Sequence, residues 1–177
     1  MLVAETERLL LHRFTPADAA FVFELVNEPS WRQYIGDRGV HNLDDARAYL
    51  ANGPIAMYGQ LGFGLYRIDR KEDRAPVGIC GLLRRFGLDD VDLGFALLSR
   101  FTGRGYAREA ARAIVGHGFD ELHLRRIVAI TSPDNGASIR LLESLGFASE
   151  GMLKLAGHAA PVRLFACDES FRPATAP

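Results

Sequence analysis

Residues 100–110 read RFTGRGYAREA, with Gly103 and Gly105 two positions apart, Arg100 three residues before the first glycine and Arg104 directly before the second. Behind them Ala107, Ala110, Ala111, Ile114 and Gly118 recur at the spacing of one helical face, so the glycines stand at a helix start. Such a start leaves about four backbone N–H groups without intrahelical partners and carries roughly half a positive charge. Glycines remove the side chains that would hold an anion away from those groups, and the pattern suits a phosphate cradle. Arg100 and Arg104 add charge, although the backbone alone is sufficient. This is not the loop of the Walker type, because no Gly-Lys-Ser/Thr follows. It is not a dinucleotide fingerprint either, because the residue three after Gly105 is Arg108 rather than Gly or Ala. Taken alone, R-x-x-G-x-G is more often a tight structural turn.

A strand must deliver the chain to this loop. Residues 91–98, VDLGFALL, have the required alternation: Val91, Leu93, Phe95 and Leu97 point one way, Asp92, Gly94 and Ala96 the other. After the helix, the β-branched run at 125–131 reads as a buried strand. Residues 132–147 then repeat the loop-to-helix entry, with Asn135 or Asp134 as cap, Leu141, Leu142 and Leu145 as the apolar side and Gly146 as terminator. Upstream, 6–14 is a strand. Thr15 as N-cap, Pro16 at the first helical position and Asp18 three residues after the cap start a helix that Pro29 stops. A shorter helix runs over 42–53, with Asn42 as cap and Gly53 past its end. Residues 62–69 and 76–83 read as strands joined by the charged turn RKEDRA, and 148–156 with 162–169 as a closing hairpin around Gly157. A meander followed by strand–helix units makes a mixed α/β fold.

A chain of 177 residues is expected to form one domain, here 1–170, with 171–177 as a flexible tail. The net charge of −1 argues against a broad footprint for nucleic acid or an anionic membrane. No apolar run is long enough to span a bilayer, and MLVAETERLL lacks the basic and apolar regions of an export signal. Cys80 and Cys167 show no metal-ligand spacing and read as reduced core thiols of a cytoplasmic protein; no metal site is expected.

The segments TERLLLHRFTPAD, VDLGFALLSRFTGRGYAREA and RRIVAITSPDNGASIRLLESLGF, in that order, resemble the GNAT acyltransferases. The branch is the RimJ/RimL-like one, best known for acetylating protein N-terminal amines, and the likeness runs from Thr6 to Glu169. It implies the GNAT acyltransferase fold: a mixed, strongly twisted sheet flanked by helices and splayed in the middle, between 91–98 and 125–131. Acetyl-CoA would lie in the opening. Thr102, Gly103, Arg104, Gly105, Tyr106 and Ala107 would hold its pyrophosphate. The backbone of Ala96, Leu97 and Leu98 would pair with the pantetheine arm, and Asn135 and Ser138 would face it from the other side. Trp31 and Tyr34 would line the acceptor pocket, or equally belong to the core. No metal is implied.

Acyl transfer to nitrogen needs a neutral amine, a polarised thioester carbonyl and a proton for the departing thiolate. The N–H near Leu97 suits the carbonyl. Ser138 can deliver the proton, or can simply bond its own helix turn. Many GNAT enzymes use a tyrosine further along this helix, and 138–146 has none, which leaves the acid open. For the base, Asp92 stands on the strand that meets the thioester, since carboxylates on this strand act in some family members; the plainer reading is a solvated carboxylate. His158, in the hairpin turn, is a weaker candidate; Glu143 reads as an exposed helix residue, and His117 and His123 flank a helix end, where cationic side chains meet the dipole favourably. Deprotonating a lysine at pH 7 costs about 4.6 kcal/mol and an α-amine only about 1 kcal/mol, so the lack of a strong base mildly favours an α-amine. The expected activity is transfer from acetyl-CoA to a primary amine, small or at a protein N-terminus. The alternative is a non-catalytic acyl-CoA-binding module. An exposed sheet edge leaves a homodimer open.

Overall fold

The computed structural model describes residues 1–170; the expected tail, 171–177, lies outside the described residues. Eight strands form one sheet: β1 (Leu2–Glu5), β2 (Leu9–Arg13), β3 (Leu65–Arg70), β4 (Pro76–Leu83), β5 (Val91–Leu97), β6 (Arg126–Thr131), β7 (Ala148–Leu153) and β8 (Val162–Asp168). Their order across the sheet is β1-β2-β3-β4-β5-β6-β8-β7. The pairs are antiparallel except β5 with β6, which is parallel. A parallel neighbour needs a crossover, and α5 (Tyr106–Asp120) supplies it.

The helix α5 buries Ala110, Ala111, Ile114, Val115, Gly118 and Phe119. A Cβ at Gly118 would lie 2.8 Å from Ile127 Cδ1 and 3.0 Å from Leu82 Cδ1, so the helix approaches the sheet this closely because that side chain is absent. The remaining helices are α1 (Ala19–Val26), α2 (Pro29–Tyr34), α3 (Leu43–Leu50), α4 (Ala56–Leu61) and α6 (Gly136–Ser144). Among the described residues no helix is long and apolar enough to cross a membrane. Cys80 and Cys167 are buried, and neither forms a disulfide.

The caps read from the sequence are present. Thr15 N–H donates to Asp18 Oδ2 at 2.7 Å, Asn42 Oδ1 accepts from Asp45 N–H at 2.9 Å and Asn135 Oδ1 from Ser138 N–H at 3.2 Å. Two breaks fall elsewhere than expected. Pro29 does not stop a helix; it opens α2, where a first-turn proline lacks only a donor that would be unpaired anyway. Gly53 does not end the second helix, because the chain passes Pro54 in a wide turn over Ala51–Ile55 and continues into α4. A wide turn tolerates the missing N–H. The feature that positions the site is a short ladder. β5 and β6 pair only at Val91↔Ile127 and Asp92↔Val128. Beyond residue 92 the strands part and the sheet opens.

Candidate active site

A cavity of about 830 Å³ fills that opening. At one end stand Gly103, Gly105 and Tyr106, at the start of α5. Both glycines hold left-handed backbone, φ 73° and 81°, which side chains rarely adopt. Thr102, Ala107 and Arg108 also border the cavity here. Arg104 does not: its guanidinium lies 5.8 Å from the Phe101 ring centre and its carbonyl accepts from Arg8 Nη1 at 3.1 Å. Arg100 is drawn away as well, paired with Glu24 on α1.

The loop is braced by residues that sequence reasoning did not single out. Arg8 Nε donates to Glu109 Oε2 at 2.7 Å, the Arg8 N–H to Glu109 Oε1 at 2.9 Å and Thr6 Oγ1 to the same oxygen at 2.6 Å. The Arg8 guanidinium also lies 4.8 Å from the Tyr106 ring centre. Burial opposes the charge on Glu109, yet the bonds from Thr6 and Arg8 hold its carboxyl below the ordinary range. The partners are about a hundred positions apart in the chain, and no local pattern connects them.

Along the middle of the cavity run Phe95, Ala96 and Leu97 on one side, and Ile130, Asn135 and Ser138 on the other. Leu98 is fully buried and gives its N–H to the Val77 carbonyl at 3.0 Å, so of the three expected backbone positions only Ala96 and Leu97 border the space. In an antiparallel ladder, backbone groups alternate between edges. With Leu98 turned to β4, the N–H and C=O of Phe95 and Leu97 turn to the edge that β6 has left. Ser138 is half-buried; its N–H is taken by the Asn135 cap, and its hydroxyl has no hydrogen-bond partner among the described residues.

The far end holds Trp31, Tyr34, Tyr49, Arg38, Arg85 and the exposed Phe86. Trp31 is core and cavity wall at once: 3 % exposed, with an indole N–H that has no partner among the described residues. Asp92 is neither solvated nor on the wall. It is 1 % exposed and lies behind Arg85, whose Nε and Nη2 reach its Oδ2 at 2.9 and 2.8 Å. Burial pushes its carboxyl up to about 6, against the pull of Arg85. An amine in the cavity therefore meets Arg85 rather than Asp92, and direct proton abstraction by Asp92 is not what this geometry offers; the sequence alternation had turned Asp92 to the right face but could not foresee a cover. His158 is half-buried beyond the same end; burial, then Arg85 and Arg38, lower its pKa. Among the described residues no Asp, Glu or His lines the cavity, and no cluster able to hold a metal ion is found.

Comparison with known proteins matches residues 8–148 to the family model described as an acetyltransferase (GNAT) domain. An uncharacterized N-acetyltransferase of Bacillus subtilis, YnaD, is 32% identical over 149 residues, covering 84% of each chain. The N-acetyltransferase p20 of Bacillus licheniformis, also uncharacterized, is 30% identical over 155 residues, again 84% of each. Among solved structures, a GNAT-family acetyltransferase from Bacillus anthracis superposes with TM-score 0.80 at 27% identity, over 96% of this chain and 99% of that one. The coenzyme A complex of RimL, a ribosomal L7/L12 alpha-N-protein acetyltransferase, shares the fold at TM-score 0.82 and 19% identity, over 95% and 98%.

Proposed function

The chain belongs to the GNAT acetyltransferase family, and from this premise we propose that it transfers the acetyl group of acetyl-CoA directly to a primary amine, as a single domain spanning 1–170 in the cytoplasm. One observation carries the reading. A single cavity runs from the glycine cradle, past the open edge of β5, to a chamber of arginines and aromatics. A pyrophosphate at Gly103 and Gly105 and a thioester at Leu97 would span its length, and the RimL structure with coenzyme A is a fold-level precedent for such a ligand.

In this reading the Leu97 N–H polarises the thioester carbonyl. The amine nitrogen forms the new bond to the carbonyl carbon as the carbon–sulfur bond breaks. The Ser138 hydroxyl gives its proton to the leaving sulfur, and the N–H proton that the attacking nitrogen sheds returns through water to the serine oxygen. With no carboxylate or imidazole on the wall, the amine must reach the site neutral or lose its proton to water. This favours an amine of low pKa, such as a peptide α-amine. The same bare wall gives some support to the second reading, an acyl-CoA-binding module without chemistry. β1 and β7 form the sheet's edges, and a homodimer would use one of them. The test of function is acetyl-CoA consumption across an amine panel, with mass analysis of products. N-acetylated product establishes the transferase; coenzyme A binding without product establishes the module.

A further inference from the structure

The chamber at the far end of the cavity offers donors almost without acceptors. Its charged lining residues are Arg38, Arg84 and Arg85. Arg38 is exposed, between α2 and α3, and has no hydrogen-bond or ion-pair partner among the described residues. Arg85 is clamped from behind: both its bonds to Asp92 use Nε and Nη2, which fixes the guanidinium plane and leaves Nη1 outside the pair. Both arginines border the same cavity, together with Tyr49, and both disfavour a proton on His158 just beyond it. Trp31 adds, on the same wall, a buried N–H without a partner among the described residues.

Resting on the acetyl-transfer reading above, we propose that the acceptor is a primary amine bearing a carboxylate a few bonds away, and that Arg85 and Arg38 receive that carboxylate. A guanidinium matches a carboxylate with two parallel N–H bonds, and Asp92 already holds one of the two in a fixed plane. A polyamine would enter a chamber that repels it and accepts few of its N–H groups. A neutral amine would leave buried donors unpaired, at a cost. The arrangement also serves the chemistry: nearby cations disfavour an ammonium and lower the acceptor's pKa, which helps where no base lines the wall. Two sources present this chemistry, a free amino acid and a peptide with an acidic residue at its N-terminus.

The experiment compares charge-matched pairs on the full chain: glutamate with its diamide, and a peptide starting with Glu with one starting with Gln. Turnover is measured with acetyl-CoA, and binding of the corresponding N-acetyl compounds to the coenzyme A-loaded protein is measured by calorimetry. The acid member of at least one pair should be preferred in kcat/KM by about tenfold or more, on the scale of a charge-assisted hydrogen bond, and the pair that shows it identifies the source. In Arg38→Gln, whose side chain is exposed and unpartnered, that preference should collapse through KM. Turnover without an acid preference, or a preference untouched in Arg38→Gln and Arg85→Gln alike, overturns this inference and leaves the transferase standing. Acid-selective binding lost in Arg38→Gln, with no product from any amine, supports the anion site and removes the transferase reading instead.

Discussion

Gly105 is the cap residue directly before α5, with φ 81°, where a branched side chain is strained by roughly 1–2 kcal/mol. The loop is exposed, so Gly105→Val should stay folded by circular dichroism while its N–H groups shift. Its affinity for coenzyme A should drop at least tenfold by calorimetry; unchanged affinity would remove the phosphate cradle. Ser138 answers a different question. Its hydroxyl has no hydrogen-bond partner among the described residues and belongs to a residue that borders the cavity. If it protonates the leaving sulfur, Ser138→Ala should lower kcat by about 10²-fold, the lower range for general acid catalysis, with little change in acetyl-CoA affinity. A loss of affinity instead would make it a binding residue. The glycine and cap positions were legible because φ > 0 and orphan N–H groups demand particular residue types locally. Asp92 was not: its role depends on Arg85, which is seven residues away on the far side of a turn, covering it.

Elements with a local cause were readable, and those defined by tertiary contact were not. β4 spans Pro76–Leu83, as the sequence implied; α3 begins at the expected Asn42 cap, and α6 at Asn135, one of the two caps the sequence offered. β1 was missed because four residues gain strand form only by pairing with β2. The Arg8–Glu109 brace was missed for the same reason. The cap of α6 allows a test at this scale. Asn135→Ala removes the acceptor of the Ser138 N–H and should cost about 1 kcal/mol in denaturant unfolding, whereas Asn135→Ser, an equally good cap, should recover most of it. If the two variants are equally unstable, Asn135 matters through its contact with the cavity rather than through the helix end.

At the scale of the whole molecule, the sheet opens where Asp92 ends the β5–β6 ladder, and the carboxylate buried there should leave a mark on stability. Its folded pKa is raised by burial to about 6, whereas an unfolded aspartate titrates near 3.9. Between those values the folded state holds a proton that the unfolded chain lacks. This contribution is fully present below about pH 4 and is lost as pH rises through about 6. Asn at position 92 does not titrate, and the other carboxylates are common to both proteins, so their effects cancel in the difference. The stability of the natural protein minus that of Asp92→Asn should therefore increase from pH 7 to pH 4, by on the order of 2 kcal/mol, in denaturant midpoints at equal slope. A difference that instead shrinks toward low pH would mean that Arg85 outweighs burial and that the ion pair stabilises the fold. The sign also bears on the chamber. A carboxylate that gains a proton near pH 6 loosens its hold on Arg85 there, so preference for an acid-bearing acceptor should weaken below that pH before the protein itself loses stability.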